Sequence, residues 1–271
     1  MPSAADIIAA KVPLPLSLTA EEWARVQADK RRRAIFAALV DEIGALQEAQ
    51  YQVAAILSGE SSKVDARLEL SDVLAALNYM PGEGAEGGIQ DLRTVARQNL
   101  ILETNLTMAA GEAQREMFRG SYAYPAQRLV RLGQRTEPRD WPSRWRMAYA
   151  EVGGAGACAT DMVALNDSPI WTALSAFGQP YPPFDYNSGM GLEPVDYDEA
   201  EALGLITDDA LDAIAAAAET PPEPPSLQAN MAALSTLPAE IQQQAAAIRQ
   251  QAIDLMRGAV TFDGDTLRWT D

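Results

Sequence analysis

Apolar positions in the first 120 residues recur at helical spacing, and the intervals between them set the predicted elements. Trp23, Val26, Ile35, Ala38, Leu39, Ile43, Leu46, Val53 and Leu57 fall at steps that keep one helix face apolar. Thr19 suits the N-cap of that helix, Glu22 its reciprocal N3 partner and Gly59 its C′ stop. The pattern predicts one helix over 19–58, a rod of roughly 57 Å at ~1.5 Å per residue. A rod of that length would protrude or pair with another subunit. A second amphipathic helix is expected over Val64–Tyr79, starting near Ser62, and a third over Ile89–Phe118. Gly111 inside the third disfavours the helix and is expected to mark a close helix contact. The run Pro81–Gly88 is too glycine-rich for regular structure and is expected as a loop. Residues 1–18, with Pro13 and Pro15 alternating with Val12, Leu14 and Leu16, are expected as an extended arm.

The pattern changes after Tyr124. Gln127–Leu132 suits a short strand, and Gln134–Trp145 a polar turn region. Asp167-Ser168-Pro169-Ile170-Trp171 is expected to turn into a short helix, with Ser168 as cap and Pro169 at N1. FGQPYPPFDYNSGMG, residues 177–191, is rich in proline, glycine and aromatic residues. It is expected to be a buried, stiff connector packed by Tyr181, Phe184 and Tyr186 and turned by Asn187 and Gly189. Trp141, Trp145 and Trp171 are its expected anchors. Asp196 and Glu199 form a capping-box pair, Gly204 and Leu205 a Schellman stop, and Thr207-Asp208-Asp209 the next helix start. Thr220–Pro225 is a stiff linker, 227–257 a Gln/Ala helix, and Val260–Trp269 a hairpin candidate with Asp263-Gly264 at its turn. The expected fold is mainly α, with an extended N-terminal arm, a small irregular α+β region around 124–190 and a C-terminal helix with a β-hairpin. The expected domains are 1–18, 19–123, 124–219, the linker 220–226 and a docking tail, 227–271.

The formal charge of −17, from 38 acids and 21 bases, argues against general nucleic-acid binding, which needs a positive face. Lys30-Arg31-Arg32-Arg33 does not supply one, because four consecutive helical residues point around the whole helix. No apolar run reaches the ~20 residues that span a bilayer, and the first residues lack the pattern of a signal peptide. A cytoplasmic setting is therefore expected, and the single cysteine, Cys158, fits it. The chain has no histidine. That removes Ser-His-Asp and Cys-His catalysis and His-ligated zinc. A carboxylate-dependent hydrolase, lysin- or glycosidase-like, is the enzymatic alternative, with Glu103 and Glu137, or Asp185 and Glu193, as the candidate pairs. Acids at Glu193, Asp196, Asp198, Glu199 and Glu201 are explained by the helix dipole without a metal. No cofactor motif is present. A third alternative takes Gln179–Phe184 as a polyproline bait for an aromatic groove.

Four landmarks carry a resemblance. They are the Ala10-Lys11-Val12-Pro13-Leu14-Pro15 arm before a long Trp-bearing helix; Glu103-Thr104-Asn105 in a helix continuing to Gly111; Arg135-Thr136-Glu137-Pro138-Arg139-Asp140; and Asp167–Trp171 followed by Tyr181-Pro182-Pro183-Phe184-Asp185-Tyr186-Asn187. In this order they resemble the Mu F-like minor head proteins of tailed phages, over about residues 5–205. In that family an R-T-R-P-x-H segment carries a histidine where this chain has Asp140, and an N-C-R-C segment carries cysteines where it has Ser188 and Met190. The resemblance implies architecture and role, with no metal and no catalysis. It gives structural weight to Glu103, Thr104, Asn105, Arg135, Pro138, Trp171, Tyr181, Pro182, Pro183, Phe184 and Asn187. It implies a structural protein of the virion, at the capsid interior or portal vertex, present in host cytoplasm during assembly. Portal or capsid subunits would be its partners, with self-association through the long helix. Trp23, Arg31, Arg32, Arg33, Phe262 and Trp269 are the candidate partner contacts. Another virion connector or docking protein is the related alternative.

Overall fold

A computed structural model describes residues 3–13, 34–35, 43–133, 138–220, 260–263 and 266–269. The described residues are mainly α, with a three-stranded antiparallel sheet and two two-stranded ladders. The chain divides into two units, Ile8–Leu102 with Pro224–Asp271, and Met1–Ile7 with Glu103–Glu223.

At the N-terminus, the expected extended arm is helical over α1 (Ala4–Ala9). The Ser3 hydroxyl accepts the Asp6 N–H at 3.1 Å, and the Asp6 carboxylate accepts the Ser3 N–H at 2.8 Å. This reciprocal cap starts a helix that the proline spacing further on had masked. Only then does the chain extend, as β1 (Val12–Pro13).

In the Ile8–Leu102 unit, β1 pairs in parallel with β2 (Ala34–Ile35). The single helix expected over 19–58 is therefore interrupted, and its described part is α2 (Ile43–Ser58). A strand ladder recruits Ala34 and Ile35 from a partner more than twenty residues away, which helical periodicity cannot reveal. The Gln50 amide donates to the Ile8 and Lys11 carbonyl oxygens at 2.8 and 2.6 Å, tying this segment to α2. The α2 helix stops as expected. Gly59 takes φ +82°, and Glu60 N–H donates to Ala55 O at 2.8 Å. Ser62 caps α3 (Lys63–Ala76) by accepting from Asp65 N–H. Ala45, Leu46, Ala49, Leu70, Leu74, Leu92 and Ile101 form this unit's described core. The third long helix, α4, begins at Val95 rather than near Ile89. Buried Asp91 accepts from Gly87 N–H and Arg93 N–H at 2.9 and 3.0 Å and holds the preceding residues in turns. Thr94 then caps α4 through its hydroxyl, which accepts Arg97 N–H at 3.3 Å.

α4 runs to Phe118, and its residues from Glu103 onward belong to the other unit. There, β3 (Ala126–Arg131) is the centre of a three-stranded antiparallel sheet. It is flanked by β4 (Val163–Leu165) and β5 (Met190–Val195). Ala126 and Leu129, three positions apart, point to opposite faces. Ala126, Val163 and Val195 pack with Ala200 of α7 (Tyr197–Ala202) and with Leu205. Leu129, Ala164, Met190 and Leu192 pack with α5 (Trp141–Glu151) and α6 (Ile170–Leu174). The helix α8 (Asp208–Glu219) follows, capped by Thr207 as expected.

α5 corrects the polar turn expected over Gln134–Trp145. Asp140 accepts Ser143 N–H at 3.0 Å, and Pro142 lies in the first turn, where its missing donor costs nothing. The Schellman stop at Gly204 is present, with φ +72° and Leu205 N–H donating to Ala200 O at 3.0 Å. Half of the expected capping box is not. Asp196 accepts Glu199 N–H at 2.9 Å, but the Glu199 carboxylate accepts from Arg128 at 2.6 Å instead. In α6 the cap is shifted by one residue from expectation: the helix begins at Ile170, with Pro169 before it, and Ser168 Oγ accepts Ile170 N–H at 3.3 Å. β6 (Val260–Asp263) and β7 (Thr266–Trp269) pair antiparallel, as the hairpin pattern predicts.

Candidate functional site

Some of the residues singled out in the sequence, Trp145, Trp171 and Gly111, meet at 177–191. Tyr181, Pro182, Pro183 and Phe184 are all buried. Trp171 stacks on Phe184 at 6.0 Å between ring centroids, and Trp145 meets Trp171 edge-on at 5.4 Å. Each of these indoles has its N–H satisfied: Trp145 donates to Cys158 O at 2.8 Å and Trp171 to Leu165 O at 2.9 Å. Ala176 N–H donates to Phe184 O at 2.9 Å, closing the front of the loop. Tyr186 lies edge-on to Phe177 at 4.7 Å. Gly111 of α4 meets the same segment, since a Cβ added there would lie 2.8 Å from the Pro182 carbonyl oxygen. Farther along α4, the Gln114 amide donates to Leu192 O at 3.0 Å.

Asn187 and Gly189 turn the chain, with φ +49° and +64°. Gly189 O accepts from Leu132 and Gly133 N–H at 2.8 and 3.1 Å. Ser188 and Met190 are buried. Ser188 Oγ accepts Met190 N–H at 3.3 Å, and the Met190 side chain joins the tryptophan core. Packing and local hydrogen bonds thus anchor the segment. Charge fixes its outer edge. Asp185 Oδ2 accepts from Arg144 at 2.9 Å and lies 3.4 Å from Arg139 Nε. Arg139 also donates to Tyr186 O at 3.0 Å, and the Arg144 guanidinium sits 5.0 Å over the Trp141 ring.

Burial of the Tyr-Pro-Pro-Phe run removes the face that a polyproline bait would need. Glu103, Thr104 and Asn105 lie on α4, with Asn105 buried and the Glu103 carbonyl accepting from Thr107. Pro138 precedes α5. Trp23, Arg31, Arg32, Arg33, Arg135 and Glu137 lie outside the described residues, as do the Thr19/Glu22 cap, the Pro-rich linker and the 227–257 helix. Phe262 and Trp269 are on β6 and β7.

Sequence reasoning missed a buried amide pair. The Gln127 amide donates to Asn166 Oδ1 at 3.0 Å, and Asn166 Nδ2 donates to Phe118 O and Tyr124 O at 2.9 and 2.8 Å. This links β3 and β4 to the end of α4. Nothing in the local sequence around Gln127 or Asn166 singles either of them out.

The chemistry available is limited. Asp91, Asp140 and Asp161 all have carboxyls held below the usual range. The main causes are hydrogen bonds from Arg93, Ser143 and Thr160, respectively. A general acid at neutral pH needs the opposite shift. The Cys158 thiol donates to Asp161 at 3.2 Å. Asp185 is engaged by two arginines, and Glu193 is exposed on β5. A small gap in the Ile8–Leu102 unit is lined by Ala45, Leu46, Ala49, Leu70, Leu92 and Ile101, with no polar side chain. Among the described residues, no group of three or more Cys, Asp or Glu is placed to hold a metal ion, and no helix is long and apolar enough to cross a membrane. No family model, curated protein or solved structure matches the chain.

Proposed function

We propose that the protein is a structural minor head protein of a tailed phage or prophage, associated with portal and capsid subunits during head assembly. One observation supports this reading above the others. Segments that carry the family resemblance, far apart in sequence, meet in one packed core: Gly111 against Pro182, and Trp171 against Phe184. This supports a scaffolding role for the residues of the resemblance; of the carboxylates named as enzymatic candidates, Asp185 is ion-paired, Glu193 is exposed and Glu103 is half-buried on α4. A chain of net charge −17 is also suited to lie beside packaged DNA without adhering to it. Its place would be the capsid interior or portal vertex, with host cytoplasm as the site of assembly. The self-association once drawn from a 57 Å rod loses its geometric motive, because β2 interrupts that helix.

The test is quantitative mass spectrometry of purified phage particles induced from a strain that carries this chain. A few copies per particle are expected. Its absence from particles and from head-assembly intermediates would overturn the proposal.

A further inference from the structure

Where α4 ends, the chain displays apolar side chains on a fixed turn. Met117, Tyr122 and Tyr124 are 59%, 50% and 43% exposed. The turn is held from three directions. Asn166 donates to the carbonyl oxygens on either side of it, Phe118 O and Tyr124 O. Tyr197 N–H donates to Ala123 O at 3.2 Å. Gly120, at φ +64°, packs directly on Ala218 of α8. The Tyr124 ring rests edge-on against Phe118 at 5.7 Å. The backbone of the turn and the Tyr124 ring are therefore preorganised, and Tyr with Met is the side-chain chemistry enriched in protein-binding patches.

The surroundings are acidic. The Tyr197 hydrogen bond brings Asp196 and Asp198 beside the turn, and the Ala218 contact brings Glu219. Between Arg146 and Arg249 the sequence has no Lys or Arg and fifteen Asp or Glu. The nearby arginines are already engaged. Arg115 lies 3.2 Å from Asp167, Arg119 lies 3.7 Å from Glu116, and Arg128 lies 2.6 Å from Glu199. Such a rim repels phosphates and anionic lipid, and it attracts cationic side chains. We propose that the 117–124 turn is a docking surface for a basic segment of another protein, one that places apolar side chains on Tyr122 and Tyr124 and Lys or Arg on the acidic rim. The proposal does not depend on the role in head assembly.

Fluorescence anisotropy with the full chain tests it, using a labelled lysine/leucine peptide as the probe. A glutamate/leucine peptide and a lysine/serine peptide are the comparisons. Only the lysine/leucine peptide should bind well. Tyr122→Ser with Tyr124→Ser should weaken it at least ~10-fold. Asp198→Asn with Glu219→Gln should weaken it about 3-fold and flatten its salt dependence. If the double tyrosine variant loses its near-UV circular dichroism, Tyr122→Ser alone takes its place, with at least a ~3-fold loss expected. Equal binding by folded tyrosine variants, or by either comparison peptide, would overturn the proposal. So would a dimer of the free chain that the tyrosine variants abolish, because a second copy would then be the occupant.

Discussion

Gly111 shows how one side chain's absence is decided by a distant neighbour. In an open helix, replacing Gly by Ala gains up to ~1 kcal/mol. Here the new methyl would lie 2.8 Å from Pro182 O and 3.1 Å from its ring. The obstacle is backbone and cannot rotate away. Gly111→Ala should therefore destabilise by about 1–3 kcal/mol, read from urea unfolding followed by tryptophan fluorescence. A gain in stability would show that the contact is loose. Asp91 is a second such position. It is buried and accepts from Gly87 N–H, Arg93 N–H and the Arg93 guanidinium, so its carboxyl stays ionised well below the usual range. A depressed folded-state pKa gives stability that is complete above the unfolded value of ~3.9 and lost as pH falls below it. Asp91→Asn should cost about 1–3 kcal/mol at pH 7. It should also flatten the decline of melting temperature on acidification below about pH 4. An unchanged profile would mean that other carboxylates dominate the acid response. That Gly111 meets a close neighbour could be read from sequence, because a glycine inside a helical pattern needs a reason, but the neighbour is the Pro182 loop and not the helix expected. Asp91 could not: its burial depends on the turns that Gly87 and Gly88 make around it.

Helices whose start and stop signals are local were the legible ones. Everything needed for α7 lies between Asp196 and Leu205: the cap, the left-handed Gly204 and the apolar residue after it. Asp196→Ala should cost ~1 kcal/mol through the cap alone, because Glu199 is turned to Arg128 and provides no second half of the box. Gly204→Ala should cost about 1–2 kcal/mol through the left-handed backbone. Thermal melts of the two variants and their double would measure both. A double-variant effect well below the sum would show that α7 frays once either end is lost. The misread elements were those set by longer-range pairing or ambiguous composition. β2 depends on Val12–Pro13, distant in sequence, so a local window sees only helical spacing through Ala34 and Ile35. The start of α5 was hidden because Pro142 and the neighbouring arginines suggest a turn, although Asp140 and Ser143 carry a cap. The 177–191 connector was legible as buried because so many aromatics in one polar-poor stretch demand cover. Its ion pairs to Arg139 and Arg144 required the fold.

Charge is distributed very unevenly along the chain, and that has a consequence for the folded protein. With no Lys or Arg between Arg146 and Arg249, the acids of this stretch that are ion-paired among the described residues take their cations from earlier parts of the chain. Arg115, Arg128, Arg139 and Arg144 serve Asp167, Glu199 and Asp185. Asp198, Glu201, Asp208, Asp209 and Asp212 lie on the short helices α7 and α8, so repulsion among exposed acids opposes these few pairs. Exposed ion pairs contribute roughly 0–1 kcal/mol each, whereas self-repulsion grows with net charge and acts over a Debye length. Raising salt shortens that length from ~30 Å at 0.01 M to ~8 Å at 0.15 M. Repulsion should be screened more than attraction is lost, and the melting temperature should rise by about 2–4 °C. Trp141, Trp145 and Trp171 lie in the core on the other face of the sheet that α7 packs against, so their fluorescence reports unfolding of this unit. A fall in melting temperature with salt would mean that the arginine pairs outweigh the repulsion. The acidic surface would then be internally balanced and would have little field left to attract a basic partner.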